Sequence, residues 1–159
     1  MKHIKAPLGF QQEPFPIAII VSQFNHEITH ELQQGALKRL SECGFSGEDI
    51  TVVDVPGAVE IPLIAQQLAK KNQYGAIIAL GAVIRGETSH YDYVCQQVSE
   101  GCQRVSLVFD IPVVFGVLTT ENEAQAWERV GGSHGHKGVD AANCALSMYA
   151  IVNELSASI

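Results

Sequence analysis

Four short, continuous apolar runs punctuate the chain: Ile17-Ala18-Ile19-Ile20-Val21, Ile50 to Val55, Ala76 to Leu80, and Pro112 to Val117. Runs of this length without polar alternation read as strands buried on both faces of a parallel sheet. Between them the apolar spacing becomes helical. Ile28, Leu32, Ala36 and Leu40 form one stripe that closes at Gly44; Ile61, Ile64, Ala65 and Leu68 form a second; Tyr91, Val94, Cys95, Val98 and Cys102 form a third. After the fourth run, Thr120-Glu121-Asn122-Glu123 reads as a capping box, in which hydroxyl and carboxylate satisfy two helix-start N–H groups. It predicts a helix that reaches Gly131-Gly132-Ser133-His134-Gly135, where glycines break or kink it. A longer helix carrying Ala142, Leu146, Tyr149, Ile151 and Val152 completes the chain.

Strands and helices in this alternation, joined by right-handed crossovers, predict an α/β fold: a single-domain three-layer α-β-α sandwich with a four-stranded, mostly parallel, flavodoxin-like sheet. Residues 1–16, with Pro7, Gly9, Pro14 and Pro16 and no periodicity, read as an N-terminal arm, loose or added to a sheet edge, and residues 17–159 as the domain. Ten Lys and Arg against 17 Asp and Glu give a formal charge of −7, and the basic residues form no run beyond Lys70-Lys71. Nucleic acid and anionic membrane are poor partners for such a surface. Charged residues make up only 17%, below the usual quarter, which points to surface covered by other subunits. Cys43, Cys95, Cys102 and Cys144 form no zinc-finger spacing and read as free buried thiols of a reducing compartment. With no signal peptide or membrane span in the pattern, the expectation is a cytoplasmic protein.

Ligands of open parallel sheets bind at the carboxyl ends of the strands, so chemistry is sought in the loops after residues 21, 55, 81 and 117. The first holds Phe24 and Asn25, read respectively as an aromatic staple against its own helix and an N-cap. The second, Pro56-Gly57-Ala58-Val59-Glu60-Ile61-Pro62, offers small residues that let backbone approach a ligand, then a carboxylate in a first helical turn. The third, Gly81-Ala82-Val83-Ile84-Arg85-Gly86-Glu87-Thr88-Ser89-His90, has the glycines of a phosphate loop, but Glu87 stands where a nucleotide-triphosphate site needs lysine. What remains is a backbone nest with hydroxyls and a histidine, suited to a phosphate monoester and a proton transfer. Arg129 reads as a helix-terminus charge, and the end of the fourth strand offers Phe115. His26 and His30 lie four apart without a third metal ligand, which favours an exposed helical turn.

The third loop together with Tyr91 closely resembles the signature of the 6,7-dimethyl-8-ribityllumazine synthase family. The likeness extends to Phe24-Asn25, Pro56 to Pro62, Pro112 to Thr120 and Lys137-Gly138, in order over about residues 17–155. The resemblance implies an enzyme of riboflavin biosynthesis. It condenses 5-amino-6-(D-ribitylamino)uracil with 3,4-dihydroxy-2-butanone 4-phosphate, releasing phosphate and water, with no cofactor and no metal. By carry-over, His90 moves protons, Phe24 beside Asn25 stacks on the pyrimidine, and backbone of Ala58, Val59, Ala82, Val83 and Ile84 reads the ring. Glu60 reaches the ribityl chain, and Glu87 and Thr88 contact phosphate. Arg129 clamps the phosphate with Lys137 nearby, and Phe115 closes over the ring. The last three come from a neighbouring subunit, so the implied state is a homo-oligomer, a pentamer or a multiple of it, with riboflavin synthase a further protein partner.

One stretch departs from the family. Most relatives read Lys-Ala-Gly-Asn where this chain has Ser133-His134-Gly135-His136, at the joint before the last helix. Free pentamer, paired pentamers and an icosahedral sixty-subunit capsid therefore all stay open. Two other functions compete. A non-catalytic flavin- or lumazine-binding protein of the same fold would need neither His90 nor Arg129, and a flavodoxin-like electron carrier would need a hydroxyl- and glycine-rich first loop that Ser22-Gln23-Phe24-Asn25 lacks.

Overall fold

A computed structural model describes residues 1–7 and 12–157. Two strands, β1 (Ile17–Ser22) and β3 (Ala76–Ile84), run side by side in parallel at the centre of a sheet whose edges are β2 (Ile50–Val55) and β4 (Val113–Thr120), in the order β2-β1-β3-β4. The two central runs are covered on both faces, which explains their unbroken apolar sequence. Helices α1 (His26–Glu42) and α5 (Lys137–Ala157) cover one face, α2 (Ile61–Lys70) and α3 (His90–Phe109) the other. Ile17, Ile19, Val21, Ile78 and Leu80 meet Leu32, Leu40 and Leu146 on the first face, while Ile20 and Ile77 meet Ile61 and Val98 on the second. Burying each such side chain contributes about 1.5–3 kcal/mol.

The structure corrects the predicted pattern in four places. The third strand does not stop at Leu80: Gly81, Ala82, Val83 and Ile84 stay in register opposite Val117 to Thr120, so the turn begins at Arg85. The fourth strand likewise runs through Thr120, whose hydroxyl donates to the Asn122 carbonyl at 2.8 Å instead of capping a helix. The cap of α4 (Glu123–Trp127) is Asn122, which accepts from Gln125 N at 2.9 Å while the Gln125 carboxamide oxygen accepts from Glu121 N at 2.8 Å. The capping box foreseen at Thr120 is not formed: strand pairing moves the cap to Asn122, and the return bond from Gln125 goes to Glu121, the residue before the cap. The predicted helix up to Gly131 is only this five-residue turn, and the glycine-rich joint is an antiparallel hairpin, β5 (Val130–Gly132) and β6 (Gly135–His136). Finally β2, read as buried on both faces, exposes Thr51, Val52 and Asp54, because an edge strand has fewer neighbours to cover it.

The cysteines also divide more finely than foreseen. Cys43 and Cys102 are buried, Cys95 is half-buried and Cys144 is exposed; burial pushes the Cys102 thiol up to about 11. Of the segment read as an arm, residues 8–11 lie outside the described residues, as do 158 and 159 of the domain. Phe15 is buried, stacked on Tyr149 with ring centroids 3.6 Å apart and edge-on to Phe45.

The hairpin delivers α5 against α1 with unusual closeness. His136 caps α5, its Nδ1 accepting from Gly138 N at 3.1 Å and Val139 N at 3.4 Å. A Cβ on Gly138 would collide with the Leu32 carbonyl oxygen of α1. Gly138→Ala is accordingly expected to cost about 1–3 kcal/mol, seen as a melting temperature several degrees lower in thermal denaturation. A variant that melts with the wild type would mean that the helices separate freely here.

Candidate functional site

The chain goes from β1 outward to β2 and then returns to β3 on the other side, so strand order reverses between β1 and β3. At that reversal the loops after the two strands diverge and leave a crevice. A cavity of about 400 Å³ occupies it. Its walls are Phe24 and Asn25 from the first loop, Gly57, Ala58 and Val59 from the second, the end of β3 at Ala82, Val83 and Ile84, and Gly86, Thr88 and His90 from the third, with Tyr91 and Val94 of α3 behind.

Each wall has a local cause. Asn25 adopts a left-handed backbone (φ 59°, ψ 45°) at the start of α1, where its carbonyl accepts from Ile28 and Thr29 N–H groups. Its side chain makes no capping bond, contrary to expectation, and instead Nδ2 donates to the Ala82 carbonyl at 2.8 Å, tying the first loop to β3. Phe24 does not staple α1. It is 73% exposed and presents its ring to the cavity, the Gln23 and Phe24 N–H groups being held by Val55 and Pro56 carbonyls. In the second loop the Glu60 carboxylate accepts from Gly57 N at 2.9 Å, across a single helical turn of residues 58–60 that sets Ala58 and Val59 against the crevice.

In the third loop the His90 N–H donates to the Thr88 hydroxyl at 3.3 Å, and both side chains border the cavity. Tyr91 beneath them is half-buried. Burial raises its phenol above the ordinary tyrosine range, the nearby Cys95 adding to the rise and a hydrogen bond with Thr119 opposing it. Arg85 lies with its guanidinium 4.4 Å from the Tyr91 ring centroid, while Nε bonds Glu121 at 2.6 Å and Nη2 bonds Asp92 at 3.1 Å. These two carboxylates, Asp92 first, raise its pKa further.

The cavity thus gathers nine of the residues named from the sequence: Phe24, Asn25, Ala58, Val59, Ala82, Val83, Ile84, Thr88 and His90. Glu60 and Glu87 are not in its lining. Phe115, Arg129 and Lys137 lie elsewhere, around the β4 edge. Phe115 and Lys137 border a depression of about 370 Å³ between β4 and α5, and Arg129 with Lys137 and His134 borders another of about 360 Å³ beside Thr119 and Thr120. Arg129 is held by Nη1 donating to the Gln125 carbonyl at 2.7 Å, and its own carbonyl accepts from Lys137 N at 2.8 Å. The hairpin therefore fixes these two cations together. His26 and His30 stand exposed on α1, rings 5.8 Å apart, and among the described residues no three His, Cys, Asp or Glu side chains are grouped to hold a metal ion.

Gly57, Gly86, Tyr91 and Val94 complete the lining without having been singled out as site residues. Val94 was readable: it follows His90 by four positions on a helix and so shares its face. Tyr91 was assigned to a core stripe, and its half-buried position satisfies both descriptions.

The sequence profile of 6,7-dimethyl-8-ribityllumazine synthase matches residues 14–153. The 6,7-dimethyl-8-ribityllumazine synthases of three Coxiella burnetii strains, CbuG_Q212, RSA 493 / Nine Mile phase I and Dugway 5J108-111, are each 54% identical to this chain over 144 residues, 91% of its length and 95% of theirs. A likeness this long, falling on a chain whose parallel sheet opens into a cavity built from the matched loops, identifies the protein as a member of the lumazine synthase family of riboflavin-biosynthesis enzymes.

Proposed function

We propose that the chain condenses 5-amino-6-(D-ribitylamino)uracil with 3,4-dihydroxy-2-butanone 4-phosphate to 6,7-dimethyl-8-ribityllumazine, in a site shared by adjacent subunits of a pentamer in the cytoplasm. One observation carries the shared site: the residues the reaction calls on sit on two separate surfaces of one chain. The pyrimidine half of the chemistry finds a ring platform in Phe24 and backbone hydrogen-bonding groups at Ala58, Val59, Ala82, Val83 and Ile84. The phosphate half finds Thr88 and the backbone around Glu87 here, but its cations, Arg129 and Lys137, only on the β4 edge. A second copy that applies this edge to the cavity supplies the cations and closes Phe115 over the bound ring.

One amine attacks the ketone and water leaves to form the imine; loss of a carbon-bound proton and of phosphate gives an enol that tautomerises to a carbonyl, and the second amine attacks that carbonyl with loss of a second water to close the ring. Protons move at carbon and nitrogen throughout, and the phosphate charge is held until it leaves. Histidine changes charge near neutral pH, and His90 stands at the cavity beside the phosphate-binding hydroxyl of Thr88. Arg129 holds the leaving group with a fork that lysine lacks. A pure lumazine or flavin binder has no need of these two groups, and the relatives are named as synthases. Exposed apolar side chains on α3 and α5, among them Tyr93, Leu107, Val108 and Met148, suit burial between subunits.

Mixing subunits tests the shared site. His90→Ala and Arg129→Ala proteins, each impaired alone, are dissociated, combined in equal amounts and reassembled. Roughly a quarter of the interfaces then unite an intact His90 with an intact Arg129. Lumazine formation, followed by absorbance, is expected to rise well above either parent; no gain after verified mixing would place each site within one chain.

A further inference from the structure

We propose that Arg85 is a positioning residue for the condensation, stapling together the two ends of the loop that brings Thr88 and His90 to the cavity. Residues 86–89 are all exposed, so packing does not hold them. Their own hydrogen bonds are short-range: His90 N to the Thr88 hydroxyl, and Asp92 N to the Ser89 carbonyl at 3.0 Å. Arg85 makes the long-range ties. At the loop's beginning, its backbone N–H donates to the Thr120 carbonyl at 2.9 Å and its Nε to Glu121, both at the end of β4. At the loop's end, the same guanidinium reaches the first turn of α3 through Asp92 and lies over Tyr91, the residue that follows His90 and walls the cavity.

One side chain therefore spans the loop from strand end to helix start. With two carboxylates on it at 2.6 and 3.1 Å, Arg85 is neutralised as an anion ligand, whereas Arg129 has one carboxylate, Glu128, at a longer 3.8 Å and a carbonyl at 2.7 Å. Half-exposed ion pairs of this kind add little to global stability. Their effect is on the placement of the loop, and a displacement of about 1 Å in a reacting group is enough to slow catalysis up to about a hundredfold.

The inference rests on the proton-transfer role proposed for His90, and a double-variant cycle separates the two. Arg85→Gln, His90→Ala and the pair together are assayed as assembled full-length proteins, with Arg85→Lys as the conservative variant and thermal melts as the folding control. Arg85→Gln is expected to lower kcat roughly tenfold, with the KM for the pyrimidine unchanged and the melting temperature close to wild type. In the His90→Ala background the same change is expected to do nothing further, and Arg85→Lys to recover only part of the loss, since an ammonium cannot keep both carboxylates and the ring. A kcat within about twofold of wild type, or the same fractional loss in both backgrounds, would overturn the role of Arg85. His90→Ala alone with wild-type turnover would overturn the proton-transfer assignment and this coupling with it. Should Arg85→Gln not assemble, Asp92→Asn combined with Glu121→Gln cuts the same ties from the carboxylate side and is read in the same way.

Discussion

Replacing His90 by alanine is expected to slow turnover by roughly 10²–10⁴-fold, the usual share of a positioned proton-transfer group. The loss should fall on kcat. Pyrimidine affinity is expected to survive, because the ring platform at Phe24 and the backbone edges of Ala82 to Ile84 do not depend on the imidazole. Single-turnover absorbance measured across a range of pH is the decisive measurement: the variant should form product more slowly than wild type. A variant that matches wild type at every pH would remove His90 from the chemistry and leave it a bystander at the start of α3.

Arg129→Ala is expected to raise the KM for 3,4-dihydroxy-2-butanone 4-phosphate by roughly ten- to a hundredfold, the worth of one charge-assisted bidentate contact. The KM for the pyrimidine should move far less. Arg129→Lys should recover part of the loss, because a point charge attracts the phosphate without matching two of its oxygens at once. Steady-state kinetics with each substrate varied in turn decides the matter. Equal losses toward both substrates would return Arg129 to the role of a hairpin strut, since Nη1 already bonds Gln125.

The layers of this fold were legible because burial on both faces leaves a plain mark. Ile17 to Val21 and Ala76 to Leu80 have apolar side chains throughout and prove to be the central strands. The pattern misled wherever a neighbour in space decides the outcome. Gly81 has the look of a turn, yet pairing with Val117 keeps it in β3. Thr120 has the look of a cap, yet pairing with Ile84 keeps it in β4 and hands the cap to Asn122. Nine of the residues named from the sequence line one cavity because strand reversal gathers three loops at one end of the sheet. Two of them depart from their local reading: Phe24 leaves its own helix for the cavity, and Asn25 bonds Ala82 across 57 residues of sequence in place of its own helix, a partner that no local pattern records. The separation of Arg129 from His90 is likewise invisible in spacing, since it depends on where the hairpin folds.

The left-handed backbone at Asn25 has a thermodynamic side. A non-glycine residue in that region carries a conformational cost of order 1–3 kcal/mol, which asparagine tolerates better than most. The hydrogen bond to Ala82 offsets part of it and ties the backbone beside Phe24 to β3, while the Phe24 ring itself stays bare to solvent. The entropy of ordering the loop backbone is thus surrendered during folding, before any ligand arrives. A heterocycle that stacks there meets a backbone already set, and less of its association energy is consumed in arranging the protein. Asn25→Gly tests this division: glycine adopts the left-handed backbone without strain but leaves the Ala82 carbonyl without its partner, so each stacking event must order the loop anew and calorimetry of pyrimidine binding should register a less favourable entropy.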